Sequence, residues 1–223
     1  MITVVLLNYK RPENLHRVIT AIKSQTEEST IFVWNNGALF DDNRVDWQID
    51  SNINRYCRPR WFMASHAETD FVCVIDDDLC FADDRVLEDS LNAIRDASAR
   101  AIIGMTGVIL KAHVAYRDCI HLDWLPRFPD GDTVVDIVKG RFMVLRTCDV
   151  AAIDFHAIDP VHDDIAVSAL VGDEHLVPGS LRGRFTELPQ QGVGLGIGGD
   201  WLAAREHARQ HYFGSGTAPW ENG

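Results

Sequence analysis

Three consecutive aspartates, Asp76, Asp77 and Asp78, close a run of apolar residues, Phe71-Val72-Cys73-Val74-Ile75. Neighbouring carboxylates repel one another and raise at least one pKa unless a cation or a cluster of donors offsets them. Hard oxygen ligands of this kind select magnesium or manganese, typically shared with a diphosphate. The apolar run reads as a buried strand, and in open α/β sheets ligands bind beyond the carboxyl ends of the strands. The plainer reading is a solvated turn or a helix cap, but Asp83 and Asp84 already stand where a cap for the next helix is needed.

Other residues could join them. Asp163-Asp164 opens a predicted helix, where an acid is also simply stabilised by the free N–H groups and the helix dipole. Arg55, Arg58 and Arg60 cluster ahead of the acidic strand, either as a solvated basic turn or as guanidinium forks for phosphate oxygens. His207 and His211 stand one helical turn apart, spaced to share a metal or flank a phosphate, although a surface pair is the blander reading. Gly194, Gly196 and Gly199 match G-x-G-x-x-G, but no strand precedes them and no βαβ unit can follow. That excludes a dinucleotide fingerprint and leaves a glycine-rich flap over 192–199 that brings backbone N–H groups to a phosphate.

The elements that must position these groups alternate. Thr3 to Leu7 reads as a buried strand, and Pro12 suits a first helical position, with Leu15, Val18, Ile19 and Ile22 on one face. Ile31 to Trp34 forms a second strand before the turn signal Asn35-Asn36-Gly37, and a shorter extended segment spans 45–49. A helix is expected over 62–67, the acidic strand over 71–75, and a helix over 84–97 with Val86, Leu87, Leu91 and Ile94 inward. Residues 101–110 and 142–145 read as strands, with 116–132 between them as a long surface loop holding Trp124, Pro126 and Pro129. Helices over 163–171 and 201–212 complete the pattern. The alternation implies an α/β fold with a mainly parallel central sheet flanked by helices.

The bulk numbers agree with one ordinary α/β domain, expected over 1–213 with a flexible tail over 214–223. The net charge of −12 argues against sequence-independent nucleic-acid binding, but a bound divalent cation can reverse a local potential. Five scattered cysteines without a C-x-x-C pair suggest neither a zinc site nor a disulfide framework. The opening apolar run is too short for a membrane span and lacks a basic leader, so a cytoplasmic location is expected.

Four segments in order carry a resemblance: Asn8-Tyr9-Lys10-Arg11, Val33-Trp34-Asn35-Asn36, Ile75-Asp76-Asp77-Asp78 and Asp163-Asp164-Ile165-Ala166. The chain resembles the GT-A glycosyltransferases from Val4 to about Tyr212, most closely the exostosin-type branch that transfers N-acetylhexosamine or related sugars with retention. That resemblance implies a single GT-A domain, a UDP-sugar donor and a manganese or magnesium ion. It implies that Tyr9, Arg11 and Asn35 border the nucleotide, and that Asn54 with Arg58 or Arg60 holds uridine and phosphate. It implies that Asp76 and Asp77 face ribose and metal-bound groups, that Asp78 ligates the metal directly with Asp76 beside it, and that Asp164, next to Asp163, lies beneath the sugar. Arg205 or His207 of the last helix would approach the diphosphate. The acceptor is left open among a glycan, a lipid-linked sugar, a protein and a hydroxylated DNA base.

Two other classes fit these residues less well. A magnesium phosphohydrolase would place a nucleophilic aspartate after the first strand, where Asn8-Tyr9 stands, and a nucleotidyltransferase would place a glycine-rich basic loop there. A non-catalytic sugar-binding domain would have no use for three clustered acids plus a second acidic pair.

Overall fold

Side-chain alternation along three adjacent strands divides the core into two layers. Ile2, Val4 and Leu6 of β1 (Ile2–Asn8) face one layer while Val5 faces the other. In the computed structural model, which describes residues 1–37, 40–98, 100–125, 127–172, 174–190 and 200–214, this strand lies inside an eight-stranded sheet. The remaining elements, in chain order, are α1 (Pro12–Lys23), β2 (Ser29–Asn36), β3 (Trp47–Ser51), α2 (Pro59–Ala64), β4 (Phe71–Ile75), β5 (Leu79–Phe81) and α3 (Val86–Asp96). Then follow β6 (Ala101–Gly104), β7 (Gly107–Ile109), β8 (Ile120–His121), β9 (Thr133–Val135), β10 (Ile137–Val138), β11 (Phe142–Arg146) and α4 (Thr147–Ala151). The described chain ends with α5 (Asp163–Val171), β12 (Glu174–Val177), β13 (Phe185–Glu187) and α6 (Trp201–Phe213).

The large sheet runs β3-β2-β1-β4-β11-β6-β12-β9. Strands β3, β2, β1 and β4 are parallel, β12 is parallel to β6, and β11 and β9 run antiparallel to their neighbours. Cys73 and Ile75 of β4 and Phe142 and Val144 of β11 join the first layer, which α1 and α3 cover with Leu15, Val18, Ile19, Ile22, Val86, Leu87, Leu91 and Ile94. Val72, Val74, Met143 and Leu145 join the second layer, covered by Trp61 of α2 and Ala166 and Val167 of α5. Each such fully buried Val, Leu, Ile or Met contributes roughly 1.5–3 kcal/mol of transfer free energy. This period of two is what makes both faces of the central strands apolar.

The pairing also fixes where the acids emerge. Ile75, the last residue of β4, lies opposite Phe142, the first of β11, and Asp76 N donates to Arg141 O at 3.0 Å. The turn at Lys139-Gly140-Arg141 and the triplet Asp76–Asp78 therefore share one edge of the sheet. The loop after β1 reaches the same edge, because β1 and β4 are parallel and in register from Ile2↔Phe71 to Leu6↔Ile75.

Two expectations are corrected. Residues 101–110 are not one strand: β6 stays in the large sheet, and after a break at Met105-Thr106 β7 enters a small sheet of order β10-β7-β8. Residues 116–132 do not form a surface loop throughout, since Tyr116, His121 and Leu122 are buried and β8 pairs with β7. Aromatic residues and prolines made that stretch read as exposed, but its apolar side chains pack with Ile165 of α5 and Ala208 of α6. The other expected helices and strands are present with ends shifted by a few residues. The expected flap over 192–199 and the tail beyond 214 lie outside the described residues. Among those described, no helix is long and apolar enough to cross a membrane.

Candidate active site

A cleft of about 460 Å³ opens at the sheet edge where the acids emerge. Its first wall is the loop after β1 against the acidic triplet. Tyr9 N donates to Asp77 Oδ2 at 3.0 Å, and Arg11 Nη1 reaches Asp77 Oδ1 at 2.5 Å and Asp78 Oδ2 at 3.2 Å. Arg11 Nε donates to Gln190 O at 2.9 Å, while its buried Nη2 has no partner among the described residues. A buried N–H without an acceptor is costly, and this one belongs to a cleft-lining cation. Lys10 and Tyr56 both hold left-handed backbone, with φ of 61° and 59°, a strained state for side chains of their size.

The second wall is the start of α5 with α6 behind it. Arg205 donates both terminal nitrogens to Asp164, at 3.1 and 2.7 Å, and its Nε donates to the Tyr116 hydroxyl at 2.8 Å. Asp164 also accepts from Gly140 N at 3.2 Å and Ile165 N at 2.9 Å. Burial would raise this carboxyl, but the Arg205 charge and its paired bonds, with Arg60 and Gly140 N–H, hold it below the usual carboxylate range. Asp164 is therefore an anion at neutral pH.

Arg60 ties the two walls together. Its Nε and Nη2 donate to Asp163 at 2.7 and 3.0 Å, and its Nη1 donates to Asp76 at 3.0 Å and to Gly140 O at 2.8 Å. Trp61 Nε1 adds a third bond to Asp163, at 2.5 Å. Gly140 leaves room for this bridge: a Cβ at this position would lie 2.5 Å from Arg60 Nη2 and 3.1 Å from Asp164 Cβ, so the guanidinium would have to shift.

The sequence-predicted residues divide accordingly. Tyr9, Arg11, Asn54, Arg60, Asp76, Asp77, Asp78, Asp163, Asp164 and Arg205 all line the cleft. Asn35 lies behind it, fully buried and bonded to Asn8 and Asp50, and its neighbour Asn36 lines the cleft instead. Arg58 lines a separate depression, its guanidinium carbon 5.1 Å from the Phe155 ring centre. His207 and His211 are exposed on α6 and outside the lining. Sequence reasoning missed Lys139, Gly140, Arg141, Tyr116 and Trp124. The one available signal was a basic–glycine–basic turn directly ahead of a buried strand.

Among the described residues, no three His, Cys, Asp or Glu side chains converge as a complete metal cage. Magnesium and manganese, however, are commonly held by one or two carboxylates, the other positions coming from water and substrate phosphate. Asp76 commits Oδ1 to Arg60 and keeps 36% of its side chain open. Despite that opening, the surrounding protein pushes Asp76 up to about 7 by desolvation; Arg60 opposes the rise and Asp78 adds to it. Asp78 is held only at 3.2 and 3.3 Å, by Arg11 and Arg141. A carboxylate raised by burial and by a like charge gains from a cation, so this donor set fits a hard divalent ion.

No protein-family model and no curated protein sequence matches the chain. Solved structures do match. S. aureus TarS 1-349 superimposes with a TM-score of 0.57 at 13% identity, covering 84% of this chain and 60% of that one. A mannosyltransferase from Pyrobaculum calidifontis, in complex with GDP-Man and Mn2+, superimposes with a TM-score of 0.56 at 12% identity, covering 98% of this chain and 65% of that one. The chain has the fold of these glycosyltransferases. It spans less than two thirds of the length of each. The α/β arrangement, with its mainly parallel sheet between helices, is the one expected for a GT-A transferase.

Proposed function

We propose that the chain is a metal-dependent, retaining glycosyltransferase of the exostosin type that moves a sugar from a UDP-sugar donor to a hydroxyl acceptor. One observation carries this reading: the acids closing β4 and the acid opening α5 face each other across one cleft, joined by Arg60. Related folds support it, since TarS has been crystallised with UDP-GlcNAc and the Pyrobaculum calidifontis mannosyltransferase is in complex with GDP-Man and Mn2+.

The nucleotide takes the end of the cleft lined by Tyr9, Asn36, Asn54 and Tyr56. There Asn36 Nδ2 donates to Tyr56 O at 3.0 Å and Asn54 Oδ1 accepts from Tyr56 N at 2.8 Å, so both asparagines fix the strained tyrosine. The unpartnered Arg11 Nη2 donates to a diphosphate oxygen. Asp78 and Asp76 would hold manganese or magnesium, which when bound offsets the charge gathering on the departing diphosphate.

Asp164 lies beneath the sugar as a fixed negative charge. Its oxygens accept four N–H bonds, which blunts their lone pairs as a nucleophile. The reading is therefore electrostatic: the bond from C1 to the phosphate oxygen breaks with its electron pair leaving on UDP. The acceptor oxygen bonds C1 on the same face, and its proton passes to the departing phosphate oxygen. Asp164 stabilises the positive charge that develops on the sugar ring meanwhile.

The test is a mass-spectrometric screen of UDP-hexoses, UDP-N-acetylhexosamines and GDP-Man with Mn2+ against glycan, lipid-linked sugar, peptide and hydroxymethylated-DNA acceptors. A product heavier by one sugar, with the donor's anomeric configuration, supports the proposal. Cleavage of the nucleotide to a monophosphate without sugar transfer would assign a phosphohydrolase instead.

A further inference from the structure

Trp124 lines the cleft and is 53% exposed, a large apolar surface to leave open. Its indole is nevertheless fixed. One side is stacked on His121, with ring centres 3.6 Å apart and planes at 16°. His121 is buried and its Nε2 donates to Tyr116 O at 2.8 Å, which sets the tautomer with hydrogen on Nε2. Tyr116 in turn packs edge-on to His121, at 4.8 Å and 85°, and accepts from Arg205, which grips Asp164. A continuous set of contacts thus runs from Trp124 through His121, Tyr116 and Arg205 to the carboxylate assigned to the sugar.

We propose that Trp124 is the acceptor platform of the cleft and that the acceptor is a neutral carbohydrate, one pyranose face of which stacks on the indole. The proposal rests on the transferase reading of the same cleft and adds the acceptor class to it. The polarised C–H bonds on one side of a pyranose suit the electron-rich face of an indole. A platform already held flat by a buried imidazole loses little freedom on binding.

Charge selects among sugars. Lys139 Nζ lies over the Trp124 ring, 5.0 Å from its centre, so a stacked sugar takes the part of the indole that the ammonium leaves open, and Nζ is bonded to Asp123 at 2.6 Å. The ammonium is balanced by that carboxylate, so the pair offers donors and acceptors for hydroxyl groups and no net charge for a uronate or phosphate. A nucleic-acid acceptor is disfavoured by the same balance and by the chain's net charge of −12.

The experiment is saturation-transfer NMR on the full chain with UDP and Mn2+ present. The probes are methyl β-D-glucopyranoside, methyl β-D-galactopyranoside and 5-hydroxymethyl-2′-deoxycytidine. A glycoside should receive saturation on its ring protons, and Trp124→Ala should weaken its binding about tenfold, the size of one aromatic stack, whereas Trp124→Phe should retain much of it. UDP affinity, measured alongside, should stay within about twofold in both variants, because the substitution removes no donor contact. Equal glycoside saturation in wild type and Trp124→Ala, or none in either, overturns the proposal while UDP binding leaves the donor reading standing. Trp124-dependent binding of the deoxynucleoside alone assigns a nucleic-acid acceptor and overturns it too. Failure of wild type to bind UDP overturns both readings.

Discussion

Arg205 grips Asp164 with both terminal nitrogens of its guanidinium, at 3.1 and 2.7 Å, across 41 residues of sequence. Both side chains are buried, so each neutralises a charge the other would leave uncompensated. Asp164→Asn should therefore destabilise the protein by about 3–5 kcal/mol, as removal of one partner of a buried pair does. Asp164→Asn with Arg205→Met should lose much less than the sum of the two single substitutions. Urea denaturation of the three variants gives the coupling, and strictly additive losses would show that the pair is not a unit. In the folded fraction of Asp164→Asn, UDP affinity should be retained while turnover falls by roughly a hundredfold, the scale of one lost transition-state charge contact.

A side chain at Gly140 should displace Arg60. The added methyl of Gly140→Ala would meet Arg60 Nη2 at 2.5 Å and Asp164 Cβ at 3.1 Å. The guanidinium must move, and with it the bridge between Asp76 and Asp163. A loss of about 1–3 kcal/mol in stability, typical of overpacking, should accompany a fall in turnover. Unchanged turnover in Gly140→Ala would show that the Arg60 bridge does not position the acids.

Outside the cleft, Asp136 should set a measurable pH dependence of stability. Burial pushes it up to about 6 from a usual value of 3.8, although Leu110 N donates to it at 2.6 Å. The folded chain thus holds a proton that the unfolded chain releases. Stability from this site is fully present below pH 3.8 and is lost as pH rises through about 6. Asp136→Asn keeps an acceptor for Leu110 and cannot ionise. Its stability relative to wild type should be similar near pH 4 and greater by about 1–3 kcal/mol near pH 8. Parallel pH profiles for the two proteins would remove Asp136 as the cause.

How much of this was legible in the sequence depends on the range of the contacts involved. The strand before Asp76 and the helix at Asp163 were legible because local apolar pattern sets both, and both start or stop where expected. The partnership of Arg205 with Asp164 was not, since no local pattern relates residues so far apart. Asn35 and Asn36 show a subtler limit. Adjacent strand residues point to opposite faces, so the turn was evident but which asparagine enters the cleft depended on register. The stretch after Tyr116 read as a surface loop because its tryptophan and prolines mimic one, while the packing of Tyr116 and Leu122 came from α5, α6 and β7. Lys139-Gly140-Arg141 escaped notice because its meaning lies in the antiparallel pairing of β11 with β4.

Metal-dependent use of a UDP-sugar is proposed at Asp76 and Asp78. The most direct measurement is release of UDP from UDP-glucose, UDP-galactose and UDP-N-acetylhexosamines by wild type and Asp78→Ala, with Mn2+ or with EDTA. A transferase without its acceptor still hydrolyses its donor slowly, so wild type should release UDP from at least one donor with Mn2+. Release should stop in EDTA, resume when Mn2+ is restored, and fall by roughly a hundredfold or more in a folded Asp78→Ala protein. Equal release in Mn2+ and EDTA, or an Asp78→Ala protein as active as wild type, would contradict the account.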